Sequence, residues 1–116
     1  MQSAKKDFGE RTFGLARAIV RLYSSLPKAT LPQVLGKQVL RSGTSVGANY
    51  AEADAARSKA EFRAKLGVCH SELSETAYWL RLLSAEQIVD PAKLERLQQE
   101  VKELIAIVIT ILRNSA

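Results

Sequence analysis

Glu72 and Glu75 stand one helical turn apart, in a row that also holds Lys65, Val68, Trp79 and Leu82. Two carboxylates at that spacing could relay protons, or could bind a metal ion together with Glu52. A carboxylate-bridged di-metal bundle asks for a Glu-x-x-His pair on each of two helices, whereas the only histidine, His70, lies two residues before Glu72. The pairing expected instead is ionic, from these glutamates to Arg41 or Lys65, within one chain or across an interface. A second row, Gln38, Ser42, Ser45, Asn49 and Glu52, advances in steps of four, three, four and three, so its polar groups share one helix face. Beside it run Gly36, Leu40, Gly43 and Gly47. Each glycine inside a helix costs about 1 kcal/mol relative to alanine, so three in one helix point to close backbone approach. Two uses fit these rows. Small residues could let the helix pack tightly while Ser, Asn and Gln satisfy one another in a buried network. Alternatively the row could line a pocket for an anionic or polar ligand, with Arg41 at its side.

Other chemistry is poorly supported. The chain has no Gly-x-Gly-x-x-Gly, P-loop, Gly-x-Ser-x-Gly or Cys-x-x-Cys motif. Cys69 and His70 are adjacent, and adjacent helical side chains point about 100° apart, so they do not form a nucleophile and base. Cys69 reads as a small core residue and His70 as a surface or polar-contact residue. Tyr78 and Trp79 could stack on bases, but at helical spacing they read first as core or interface. No cofactor or metal is expected, and the chain is expected not to be an enzyme.

The elements that must position these rows are helical. A length of 116 residues is one domain, and 47% hydrophobic with 25% charged residues is ordinary globular usage. Helices are expected over about 10–25, 31–56, 59–84 and 91–113, with residues 1–9 a flexible lead-in. The first carries Phe13, Ala16, Val20 and Tyr23, flanked by Leu15, Ile19, Leu22 and Leu26, and ends before Pro27. Thr30-Leu31-Pro32-Gln33 and Ser58-Lys59-Ala60-Glu61 read as capping boxes, and Asp90-Pro91 as a third helix start. Phe62, Leu66, Cys69, Leu73, Ala77 and Leu80 run through the third helix; Leu94, Leu97, Val101, Leu104, Val108 and Ile111 run through the fourth. Short connections between such helices make neighbours antiparallel, so the fold class is all-α, an up-down-up-down four-helix bundle. The end of helix four, with Leu104, Ile105, Ile107, Val108, Ile109, Ile111 and Leu112, is apolar on nearly every side. Such a surface is expected to be covered by other subunits.

Seventeen basic residues against twelve acidic ones give +5, unevenly spread. Residues 1–50 hold eight basic and two acidic residues, and the remainder nine and ten, so the halves carry +6 and −1. That asymmetry hints at an anionic partner. A single cysteine excludes an internal disulfide. A charged N-terminus without an apolar signal core leads us to expect a cytoplasmic protein. The longest apolar run, Leu104 to Leu112 with Thr110 inside it, is nine residues, far short of the roughly 20 a spanning helix needs, so no membrane association is expected.

The stretch from Gln38 to Ala53, with Arg41, Ser42, Ser45, Asn49 and Glu52, followed by Ser58, Phe62, Lys65, Glu72, Glu75-Thr76 and Tyr78-Trp79-Leu80-Arg81-Leu82-Leu83, resembles the 23S rRNA intervening-sequence family of four-helix-bundle proteins. The resemblance implies a small cytosolic bacterial protein forming a ring-like homopentamer. The accessory variability determinant of diversity-generating retroelements is similar in fold, and binds nucleic acid and a reverse transcriptase through a basic surface. By position, the family motif falls on Gln38, Arg41, Ser42, Ser45, Asn49, Glu52, Glu72 and Glu75. The function expected is therefore binding of RNA or DNA by an oligomer, through Arg11, Arg17, Arg21, Lys28, Lys37 and Arg41 on helices one and two. The alternative is a protein–protein adaptor or structural oligomer in which the polar row sets helix register.

Overall fold

A computed structural model of the chain describes residues 2–116, with side chains from residue 7 onward. Four helices account for almost all of them: α1 (Gln2–Ser25), α2 (Thr30–Asp54), α3 (Lys59–Ala85) and α4 (Pro91–Asn114). There is no strand among the described residues. The expected fold class therefore holds. Around the bundle α1 packs on α2, α2 on α3, α3 on α4 and α4 on α1, with no diagonal pairs among the described residues. Neighbours run antiparallel: Gly43 and Gly47 of α2 face Ile19 and Thr12 of α1 in descending order. Likewise Arg41, Ser45 and Glu52 of α2 meet Glu75, Glu72 and Lys65 of α3.

Helix ends follow local chemistry, with two departures from expectation. The helix expected from about residue 10 begins at Gln2; Met1 lies outside the described residues. Phe8 gives the reason, since it is fully buried and meets Tyr50 edge to face at 5.0 Å. At the start of α2 the cap is Ala29, without a side-chain hydrogen bond, instead of a Thr30 capping box. Gln33 instead donates to the Pro27 carbonyl (2.9 Å) and accepts from the Tyr23 hydroxyl (2.8 Å), fastening the α1–α2 turn. Ser58 does cap α3, accepting from the Glu61 amide at 3.1 Å, and Asp90 caps α4, accepting from Ala92 at 3.1 Å.

The core is built from Val39 and Val46 of α2, Leu66, Leu73, Leu80 and Leu83 of α3, and the heptad of α4, with Leu15 and Ile19 of α1. A Cβ on Gly43 would stand 2.7 Å from Ile19 Cγ1, so this glycine sets how closely α1 and α2 approach. Of the α4 residues expected at a subunit interface, three lie in the core of their own chain and four are partly exposed. Leu104, Val108 and Ile111 are wholly buried within their own chain, and Ile105, Ile107, Ile109 and Leu112 are half-buried. The antiparallel neighbours on either side, α1 and α3, pack against the buried row. The large apolar side chains left in solvent lie elsewhere: Phe13 (66% exposed) and Val20 (47%) on α1, Leu31 and Val34 on α2, and Val68 and Tyr78 on α3.

Candidate functional site

The two rows singled out by spacing meet along the α2–α3 seam. At its centre Ser42 and Thr76 are fully buried with their hydroxyls 2.9 Å apart. Thr76 Oγ1 also lies 2.7 Å from the Glu72 carbonyl. A hydroxyl has one proton, so when Thr76 donates to that carbonyl, Ser42 donates to Thr76 and both are satisfied. Toward solvent, the Ser45 hydroxyl donates to Glu72 Oε2. Arg41 spans both carboxylates, with Nη1 donating to Glu72 Oε2 at 2.9 Å and Nη2 paired with Glu75 Oε2. Asn49 Nδ2 donates back to the Ser45 carbonyl at 2.9 Å. Further along, Lys65 Nζ meets Glu52 Oε1 at 2.7 Å, which raises the Lys65 pKa. Gln38, at the other end, is exposed.

The seam is therefore buried at its middle and wet at its ends, and it is occupied by its own counter-charges. One guanidinium between two carboxylates leaves a net charge of about −1, so Arg41 offers little to an anion. Among the described residues no group of three His, Cys, Asp or Glu side chains is arranged to hold a metal ion. The geometry fixes the register of α2 against α3, because a shift by one residue would separate Ser42 from Thr76 and Ser45 from Glu72 together. Beyond Glu75, the indole Nε1 of Trp79 is buried with no hydrogen-bond partner. The Trp79 ring meets Tyr78 edge to face at 5.1 Å. Cys69 donates to the Val46 carbonyl (3.4 Å) and lies fully buried in the core, where burial pushes its thiol up to about 12.

The six expected nucleic-acid contacts divide into two groups. Arg41 belongs to the seam. Arg11 binds Glu100 through Nε (3.0 Å) and Nη2 (2.5 Å), and Glu103 at 2.9 Å, which ties α1 to α4. Arg11 thereby holds the Glu103 carboxyl below its ordinary range, with Gln99 assisting. Arg17, Arg21, Lys28 and Lys37 are exposed, and none has a carboxylate partner among the described residues. They sit on the second half of α1, the turn after it and the first half of α2, at one end of the bundle. Sequence spacing overlooked Lys93 and Arg96 of α4, which flank the α1–α4 groove beside Arg21.

A family model for 23S rRNA-intervening sequence proteins matches residues 5–110. Among solved structures, a protein of unknown function from the S23 ribosomal protein family of Bacteroides thetaiotaomicron is 34% identical, with a TM-score of 0.90. The match covers 95% of this chain and 98% of that one. No curated protein matches.

Proposed function

The chain belongs to the 23S rRNA-intervening sequence protein family, and from that premise we propose that it is a non-enzymatic, cytoplasmic binding protein that takes up RNA or DNA on the α1–α2 end of the bundle. The observation that carries this reading is the separation of the cations. Arg11 and Arg41 are paired with carboxylates of their own chain, while Arg17, Arg21, Lys28 and Lys37 face solvent without a carboxylate partner among the described residues. Unpaired surface cations are what a phosphate backbone displaces its counterions for, and such contacts bring affinity with little sequence preference. Assembly into the homopentamer implied by the family resemblance would multiply this charge around a ring and raise affinity by avidity. The test is binding of a labelled single-stranded RNA at about 50 and about 200 mM salt, where four phosphate contacts predict roughly a 50-fold loss of affinity. No binding at the lower salt would end this reading.

A second reading, a protein–protein adaptor or structural oligomer with no nucleic-acid role, draws on Phe13 and Val20, which place exposed apolar surface on the same helix. A reverse transcriptase is the protein partner that the resemblance suggests. Solution mass separates self-association from a monomer: a mass that falls on Phe13→Ser/Val20→Ser substitution supports the structural oligomer, and a monomeric wild type opposes both it and the ring.

A further inference from the structure

Between α1 and α4 lies a trough of about 620 Å³. Its floor is apolar, made by Leu15 and Leu22 of α1 and Leu94 and Leu97 of α4. Gly14 and Ala18 form a low wall on the α1 side, and a Cβ on Gly14 would meet nothing within 4 Å. From Gly14 to Ser25 the trough follows about 17 Å of helix, or three turns. The Arg11–Glu100 pair closes one end. Arg21, Lys93 and Arg96 are exposed at the rim, and no carboxylate among the described residues pairs with them.

We propose that this trough is a docking site for an amphipathic helix of a protein partner, with leucine-like anchors on one face and carboxylates along its flanks. A leucine floor between two helices accepts apolar side chains at i, i+3, i+4 and i+7, the register of helix-in-groove recognition. The three unpaired rim cations select an acidic flank and reject a basic one. A nucleic acid would satisfy the rim but bring nothing apolar to cover the floor. A helix of the stated composition satisfies both. This site is independent of the nucleic-acid reading, with which it shares only Arg21.

The test uses the full chain and a fluorescently labelled synthetic helical peptide of about five turns, with leucines on one face and glutamates on its flanks; a second peptide carries lysines at the glutamate positions. The acidic peptide is expected to bind at least about tenfold more tightly than the basic one. Ala18→Trp, which fills the trough without altering charge, is expected to lower that affinity at least about tenfold while leaving RNA binding unchanged. Arg21→Glu/Lys93→Glu/Arg96→Glu, confined to the surface, is expected to reverse the preference toward the lysine peptide, and so keeps the test open should Ala18→Trp fail to fold. Equal binding of both peptides, binding of neither, or an unchanged preference in the triple variant overturns the proposal. So does a folded Ala18→Trp variant that keeps its peptide affinity, or one that loses oligomer mass without the wild type binding the peptide, since the trough would then belong to a second copy. Failure of RNA binding alone leaves the peptide result standing.

Discussion

Gly43 and Gly67 occupy helix interiors and pay the same backbone entropy, yet only one of them is needed. At Gly43 an added methyl would press on Ile19, a β-branched side chain with little freedom to turn aside. Overpacking of that kind costs about 1–3 kcal/mol, against a gain of about 1 kcal/mol in helix propensity. Gly43→Ala should therefore destabilise by about 1 kcal/mol, whereas Gly67→Ala, which meets nothing within 4 Å, should stabilise by up to about 1 kcal/mol. Chemical denaturation of the two variants checks the pair, and equal shifts would show that helix approach is not set at Gly43. The residue scale was also where spacing spoke most clearly. Steps of three and four brought Ser42, Ser45 and Asn49 onto the face that meets Glu72, and pairing of Arg41 with the glutamates was expected. The partners of Arg11 were not legible, because Glu100 and Glu103 lie on a helix whose distance from α1 is decided only by the closed bundle.

At the scale of the elements, the α3–α4 connection stores a small strain. The Ile88 amide donates to the Leu83 carbonyl and the Gln87 amide to the Ser84 carbonyl, both at 3.0 Å, the paired closure of a Schellman motif. The residue in the left-handed position is Gln87, with φ 53°. Glycine has no steric penalty there, so Gln87→Gly should raise stability by about 0.5–1 kcal/mol, read as a higher Tm. An unchanged or lower Tm would mean that the unfolded glycine chain gains as much entropy as the folded turn gains relief. Ends marked by Pro27, Ser58 and Asp90-Pro91 were readable because their chemistry is local. The start of α1 was not, since Phe8 is a lone apolar residue among charges and only Tyr50, on another helix, reveals its burial. Nor could spacing decide which apolar row of α1 turns inward. Leu15 and Ile19 do, leaving Phe13 and Val20 outside, because the glycine row of α2 admits Ile19.

For the molecule as a whole, exposed ion pairs set weak pH limits. Glu103 is held below its ordinary carboxylate value of 4.5, so the stability it contributes is present above that pH and is lost as the pH falls through its folded value. Lys65 is raised above 10.5 by Glu52, so its contribution is full below that pH and is lost as the pH rises through the higher folded value. Thermal unfolding should accordingly show a plateau between these limits, with Lys65→Met flattening the alkaline edge and Glu103→Gln the acid edge. Assembly was the least legible property. The all-round apolar tail of α4 suggested a subunit contact; the bundle itself buries Leu104, Val108 and Ile111 and leaves Ile105, Ile107, Ile109 and Leu112 half-buried, and further apolar surface lies on α1, α2 and α3. The overall charge is likewise less informative than its distribution, since two of the six cations expected to meet phosphates are paired with carboxylates of their own chain. The most direct measurement is the salt dependence of RNA affinity for the wild type beside Arg17→Glu/Lys28→Glu/Lys37→Glu, with Arg11→Ala as a control. Four single-strand phosphate contacts predict a log–log slope near −3 that flattens by about 2 in the triple variant and is unchanged in the control. A slope that is the same in all three proteins would contradict an RNA surface at this end of the bundle.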